Sequence, residues 1–160
     1  PLAKRLFILP QFILALTYNW GCFIGWAALG SNIPFSSICI LYLSLIFWTL
    51  AYDTIYATQD EKEDKNLNLY SSTLLFGSKK MIFLNLMIIT KYFLIIFYGS
   101  SLDFGFIFNI LVLTISLINL LDLNLIWKNK PENASSYFSR NNYYGISLLF
   151  SIIIGSHFNV

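Results

Sequence analysis

The sequence predicts an all-α fold, a polytopic bundle of transmembrane helices. Hydrophobic residues make up 57% of the 160 and charged residues only 11%, against roughly 25% charged in an ordinary soluble domain, and the mean hydropathy is +0.66. The apolar residues gather into five runs suited to crossing a bilayer, which takes roughly 20 residues of helix. When these runs are threaded back and forth, nearly every Lys and Arg falls on one side. The lipid bilayer is thus the first partner, and no nucleic acid is expected.

Lys4 and Arg5 precede an uncharged run over residues 6–29, which Gly30, Ser31, Asn32, Ile33 and Pro34 end as a turn. This run is expected to span, bent by Pro10 in its first turns. A second span is expected over 35–57, with Trp48 and Tyr52 near its end in an interfacial belt. Residues 60–68 are polar, and 69–76 mix Leu and Phe with Ser71, Ser72 and Thr73 before Gly77, so a loop and a short surface helix are expected there. Lys79 and Lys80 open a third span over 81–98, a fourth covers 104–127, and a polar stretch over 131–142 leads into a fifth over 143–157.

Threaded this way, Lys4, Arg5, Lys62, Lys65, Lys79, Lys80, Lys128, Lys130 and Arg140 share one side, only Lys91 lies within a span, and the loops near Ser31 and Ser100 carry no base. That side is cytoplasmic, or the matrix side in an organelle. Lys91 is expected to snorkel, and Asp122 to pair with Lys128 or reach the interface. His157 falls on the opposite side, and the sequon Asn133-Ala134-Ser135 lies inside, where it would not be used. Cys22 and Cys39 stand in apolar runs without a metal-ligand partner nearby and read as packing residues. No signal-type n-region precedes the first run, and the sequence is expected to be the later part of a longer protein.

Acidic residues accumulate in one place, the stretch DTIYATQDEKED over 53–64. On a continuous helix, at about 100° per residue, Asp53, Asp60 and Asp64 fall within roughly 40° of one another, with Tyr56 on the same side. Carboxylate oxygens unaccompanied by His or Cys suit Mg2+ better than a transition metal, and Mg2+ fills its remaining positions with water and phosphate oxygens. A membrane-bound substrate carrying phosphate follows from this reading. For residues 60–64 alone, a solvated acidic loop after a helix is the plainer reading. Asp53 lies about two turns deeper, where an ionisable group is a functional candidate by default, and such carboxylates also mark the ion paths of cation-binding transporters.

The run YDTIYATQDEKED, followed by SSTLLFG, resembles the second aspartate-rich motif of the UbiA-type intramembrane aromatic prenyltransferases, in their 4-hydroxybenzoate polyprenyltransferase branch. Lys4 and Arg5 with Pro10 and Gln11 resemble that branch's K-R-x-T-x-x-P-Q, Trp48 with 51–54 its W-x-x-x-Y-D-T, and Asn141, Asn142, Tyr143 and Gly145 its N-N-x-x-G. The resemblance covers essentially the whole chain.

It implies that these five helices are the last five of a nine-helix bundle, and that residues 1–160 are the C-terminal part of a single prenyltransferase domain. It implies transfer of a polyprenyl group from a polyprenyl diphosphate to 4-hydroxybenzoate in ubiquinone synthesis, with Mg2+ as cofactor, in a bacterial or mitochondrial inner membrane. Asp60 and Asp64 would then be metal and diphosphate contacts, Lys65 a further diphosphate contact, and Asp53 and Tyr56 catalytic residues deeper in the cavity. The family's first motif, N-D-x-x-D-x-x-x-D, is not in this chain, which would need the missing N-terminal half of the bundle as its partner. After the second motif, Asn66 and Tyr70 stand where the family has basic residues and Asn68 where it has Gly. A truncated, non-catalytic membrane unit is the alternative that these departures favour.

Overall fold

The structure, a computed structural model, describes residues 2–30, 32–128 and 130–157; Ser31, in the turn expected after the first run, lies outside them. Nine α-helices follow one another among the described residues: α1 Ala3–Leu6, α2 Pro10–Tyr18, α3 Gly21–Leu29, α4 Phe35–Ala57, α5 Glu61–Asn66, α6 Ser72–Phe76, α7 Lys80–Ser100, α8 Phe106–Leu121 and α9 Ala134–His157. A 3-10 turn, Gly77–Lys79, joins α6 to α7; a π-helical segment, Asp122–Trp127, extends α8; and a second 3-10 turn, Pro131–Asn133, leads into α9.

Among the described residues, Phe35–Ala57, Ser72–Ser100 and Phe106–Leu125 are each long and apolar enough to cross a bilayer. Leu86, Ile89, Phe93, Ile110, Leu113 and Leu117 point outward and are exposed, as expected of helices whose surroundings are lipid. This is an integral membrane protein and an all-helical bundle. α4 and α7 form its centre, with Leu50, Ile55, Leu84, Ile88 and Ile95 buried in the core. α2 and α3 pack on α4, α8 on α7, and α9 on both α8 and α4.

The first apolar run is two helices rather than one. Pro10 opens α2 instead of bending it, because a helix's first position needs no N–H and suits proline's fixed φ. The break falls at Asn19, whose Nδ2 lies 2.8 Å from the Ala15 carbonyl, 2.9 Å from Thr49 Oγ1 and 3.3 Å from the Leu45 carbonyl. One amide thus serves the freed backbone of α2 and ties the break to α4. The polar stretch 131–142 is not a separate segment either: from Ala134 it forms the first turns of α9, a single helix of 24 residues.

The bundle has two unlike ends. At the end holding the 101–105 connection, a Cβ added to Gly99 would lie 2.2 Å from Phe108 Cε1, and one added to Gly155 2.9 Å from Phe104 Cδ2 and 3.1 Å from Phe108 Cδ2. α7 and α9 therefore close on the Phe108 ring because glycine faces it from both sides. At the other end lie the polar residues that build the candidate site.

Candidate active site

α4 does not run through the acidic stretch. The N–H groups of Thr58, Gln59 and Asp60 bond back to the carbonyls of Ile55, Tyr56 and Ala57 at 3.1–3.2 Å, and the Thr58 hydroxyl donates to the Ile55 carbonyl at 2.6 Å. Such i to i−3 bonding and hydroxyl competition tighten and end a helix. The single carboxylate stripe expected from the sequence is corrected accordingly: Asp53 sits on α4, Asp60 in the turn, and Asp64 on α5.

Asp64 is drawn inward by a partner far away in sequence. Lys4 Nζ donates to its Oδ1 and Oδ2 at 2.8 and 2.9 Å, and the Asp64 side chain is only 5% exposed where that of Lys4 is 34% exposed. The Tyr70 N–H donates to the Lys4 carbonyl at 2.8 Å and the Leu69 N–H to the Asp64 carbonyl at 2.9 Å, so the segment leaving α5 is sewn to both. Glu61 is held by Lys80 at 2.5 Å.

A second knot lies beneath this pair. Gln11 Oε1 accepts the Ser72 N–H at 3.1 Å, and the Thr54 hydroxyl donates to Ser72 Oγ at 2.8 Å. Ser71 Oγ caps α6 by accepting from the Thr73 N–H at 3.4 Å. Gln11, Thr54, Ser71, Ser72 and Thr73 are all buried. The start of α6 is therefore interior, not the surface helix expected, because each hydroxyl and amide there finds a partner.

Next to Asp53, Tyr52 opens onto a cleft of about 640 Å³ between α2, α4 and α9, lined also by Asn19, Trp48, Thr49, Phe138 and Asn141. Trp48 Nε1 donates to Asn141 Oδ1 at 3.1 Å, and Gly145 faces the edge of its ring, where an added Cβ would be 3.3 Å from Cη2. Tyr52 and Tyr56, one turn apart, flank Phe138 with ring centroids 5.6 and 5.2 Å away. A wider groove of about 1220 Å³ lies at the same end, with Lys62, Lys65, Tyr70 and Glu132 on its walls.

Of the site residues expected from the sequence, Asp53 and Asp60 are half-buried, Asp64 is buried, Lys65 is exposed in the wide groove, and Tyr56 is 45% exposed against Phe138. No three His, Cys, Asp or Glu among the described residues gather as a group able to hold a metal. Lys4 and Gln11 carried no expected role; their only signal was their place in the segment resembling K-R-x-T-x-x-P-Q. Two further expectations are corrected. Lys91 does not snorkel: it is 1% exposed, because the rings of Trp48 and Tyr92 take its ammonium. Asp122 pairs with Arg140 Nη1 at 3.0 Å and accepts a hydrogen bond from Tyr144, since the early start of α9 brings both donors to it.

These features define a helical membrane protein with a carboxylate- and lysine-bearing end set beside an aromatic cleft. The sequence matches the UbiA prenyltransferase family over residues 1–149, and the chain belongs to that family. It is 35% identical over 154 residues to a 4-hydroxybenzoate octaprenyltransferase of Francisella tularensis subsp. novicida (strain U112), covering 96% of this chain and 54% of the relative. It is 54% identical over 78 residues to the mitochondrial 4-hydroxybenzoate polyprenyltransferase of Bos taurus, covering 48% of this chain and 20% of that protein. The chain thus spans about half the length of the bacterial relatives it matches. No solved structure matches it.

Proposed function

We propose that this chain is the C-terminal part of a single transmembrane prenyltransferase domain that transfers a polyprenyl group from an allylic diphosphate to the ring of 4-hydroxybenzoate. The observation that carries the proposal is the buried Lys4–Asp64 pair at the end of the bundle where α4 delivers Asp53 and the turn delivers Asp60, with the cleft at Tyr52 on the same helix as Asp53. Names of relatives matched over 96% of the chain support the same chemistry. The bases gathered at that end support a cytoplasmic or matrix-facing site in a bacterial or mitochondrial inner membrane.

Asp60 and Asp64 are of the donor type that Mg2+ takes from a protein and would hold one side of it. Mg2+ takes one or two protein carboxylates and leaves its other positions to water and phosphate. Asp60 offers its carboxylate from the turn. Asp64 is held by Lys4, yet an ionised carboxylate has about four lone-pair positions, so two remain. Bound there, the metal would neutralise charge developing on the departing diphosphate. The remaining ligands would come from the length of the relatives that this chain does not span.

The chain's own residues then have distinct tasks. Lys4 orients Asp64, and Lys65 faces the diphosphate from the groove wall. The aromatic faces of Tyr52, Tyr56 and Phe138 stabilise positive charge on the allylic carbon by cation–π attraction. As the carbon–oxygen bond to the diphosphate breaks, its electron pair leaves on oxygen, and the ring carbon of the acceptor bonds to the allylic carbon. That ring carbon gives up its proton to Asp53, the neighbour in sequence of the cleft residue Tyr52. Membrane burial keeps water from the cation.

The test uses the full-length protein in nanodiscs with a polyprenyl diphosphate and 4-hydroxybenzoate. Prenylated product is expected with Mg2+ and is expected to vanish with excess chelator or in the double variant Asp60→Ala, Asp64→Ala. Equal turnover in either condition would sink the proposal.

A further inference from the structure

Lys91 is a base in the wrong place for any role assigned so far. It lies near the midpoint of α7 and is 1% exposed. The ion pairs found among the described residues use Lys4, Lys80 and Arg140, not Lys91. Its Nζ instead lies 4.6 Å from the centre of the Trp48 ring and 3.9 Å from that of Tyr92. Inside a membrane an ammonium needs compensation, and two aromatic faces supply it.

Trp48 is in turn a wall of the cleft, and two helices hold it. α4 carries it, Asn141 of α9 accepts its Nε1 hydrogen, and Gly145 of α9 leaves room for its outer edge. These contacts fix one end and one edge of the indole, and they leave its tilt to whatever lies on its face. Lys91 is what lies there.

We propose that Lys91 is a positioning residue whose side-chain nitrogen, seated over the indole face, sets the tilt of Trp48 and so the shape of the cleft that takes the polyprenyl chain. The last clause rests on the functional reading above; the Lys91–Trp48 linkage does not.

The experiment labels the full-length protein with 5-fluorotryptophan in nanodiscs and assigns the Trp48 fluorine resonance with Trp48→Phe. Lys91→Met removes the nitrogen and keeps the length; Lys91→Arg keeps a nitrogen group over the ring. The Trp48 resonance is expected to shift or broaden in Lys91→Met and to return toward its original position in Lys91→Arg. KM for the polyprenyl diphosphate is expected to rise about threefold to tenfold in Lys91→Met with kcat nearly unchanged. An unchanged Trp48 resonance in Lys91→Met, or a KM that stays as high in Lys91→Arg, overturns the proposal. If Lys91→Met does not fold, Lys91→Gln takes its place: a shifted Trp48 resonance with a raised KM supports the proposal, and an unchanged resonance or KM overturns it. Should the unaltered protein transfer no prenyl group, the functional reading fails while the resonance comparison still decides the linkage.

Discussion

The two ends of the bundle are held by different physics. At one end Phe108, fully buried, sits against Gly99 and Gly155, and the joint is made of carbon contacts. At the other, Lys4–Asp64, Lys80–Glu61 and Arg140–Asp122 share the space with the Gln11–Ser72–Thr54 knot. Lipid is as apolar as a side chain, so in a membrane the first kind of joint works through close packing and little else. The second kind is made of groups that a charged ligand can share. One end sets the geometry of the helices; the other, under the proposed function, would present it to a substrate.

This contrast gives a way to separate activity from stability. The largest expected effect is Asp60→Asn, which should lower kcat/KM by about 100-fold or more while leaving unfolding within about 0.5 kcal/mol of the unaltered protein. Steady-state kinetics alongside a denaturation curve in the same detergent check both halves. Gly99→Ala should do the reverse. Its Cβ would meet Phe108 Cε1 at 2.2 Å, and overpacking of this kind destabilises by about 1–3 kcal/mol, with turnover per folded molecule near normal. A Gly99→Ala protein as stable as the original would mean that the helices have room to move apart there.

Lys4→Met should fall between the two. It leaves the Asp64 carboxylate buried without its ammonium, but Lys4 itself is a third exposed. The loss should therefore be about 1–2 kcal/mol, below the 3–5 of a fully buried pair. Activity should drop as well, because Asp64 loses its orientation. Unfolding measured as a double-mutant cycle with Asp64→Asn would isolate the pair; zero coupling would make the contact incidental.

Much of the fold was legible because a bilayer allows few solutions. Apolar runs place α4, α7 and α8 within a few residues, and Lys79 and Lys80 mark the start of α7. What was not legible was where a helix stops inside an apolar or mixed run. Nothing local distinguishes Asn19 as a break, since its amide acts through Leu45 and Thr49 of a later helix. The end of α4 at Ala57 agrees with the span expected over 35–57, but the carboxylate stripe had been drawn as if the helix ran on to Asp64, and Thr58 ends it through a hydroxyl bond to its own backbone. The candidate site was half legible. Its carboxylates could be read from 53–64, but Lys4 and Gln11 reach it only after α2 folds against α4. Lys91 looked like a surface-seeking base because the Trp48 ring beneath it is 43 positions away.

The most direct test of the central claim measures binding of a non-reactive polyprenyl diphosphate analogue to the full-length protein, with and without Mg2+, in Asp60→Asn and Gly99→Ala side by side. The account predicts Mg2+-dependent binding that survives in folded Gly99→Ala and is lost in Asp60→Asn. Binding that persists in Asp60→Asn, or that needs no divalent ion, would contradict it.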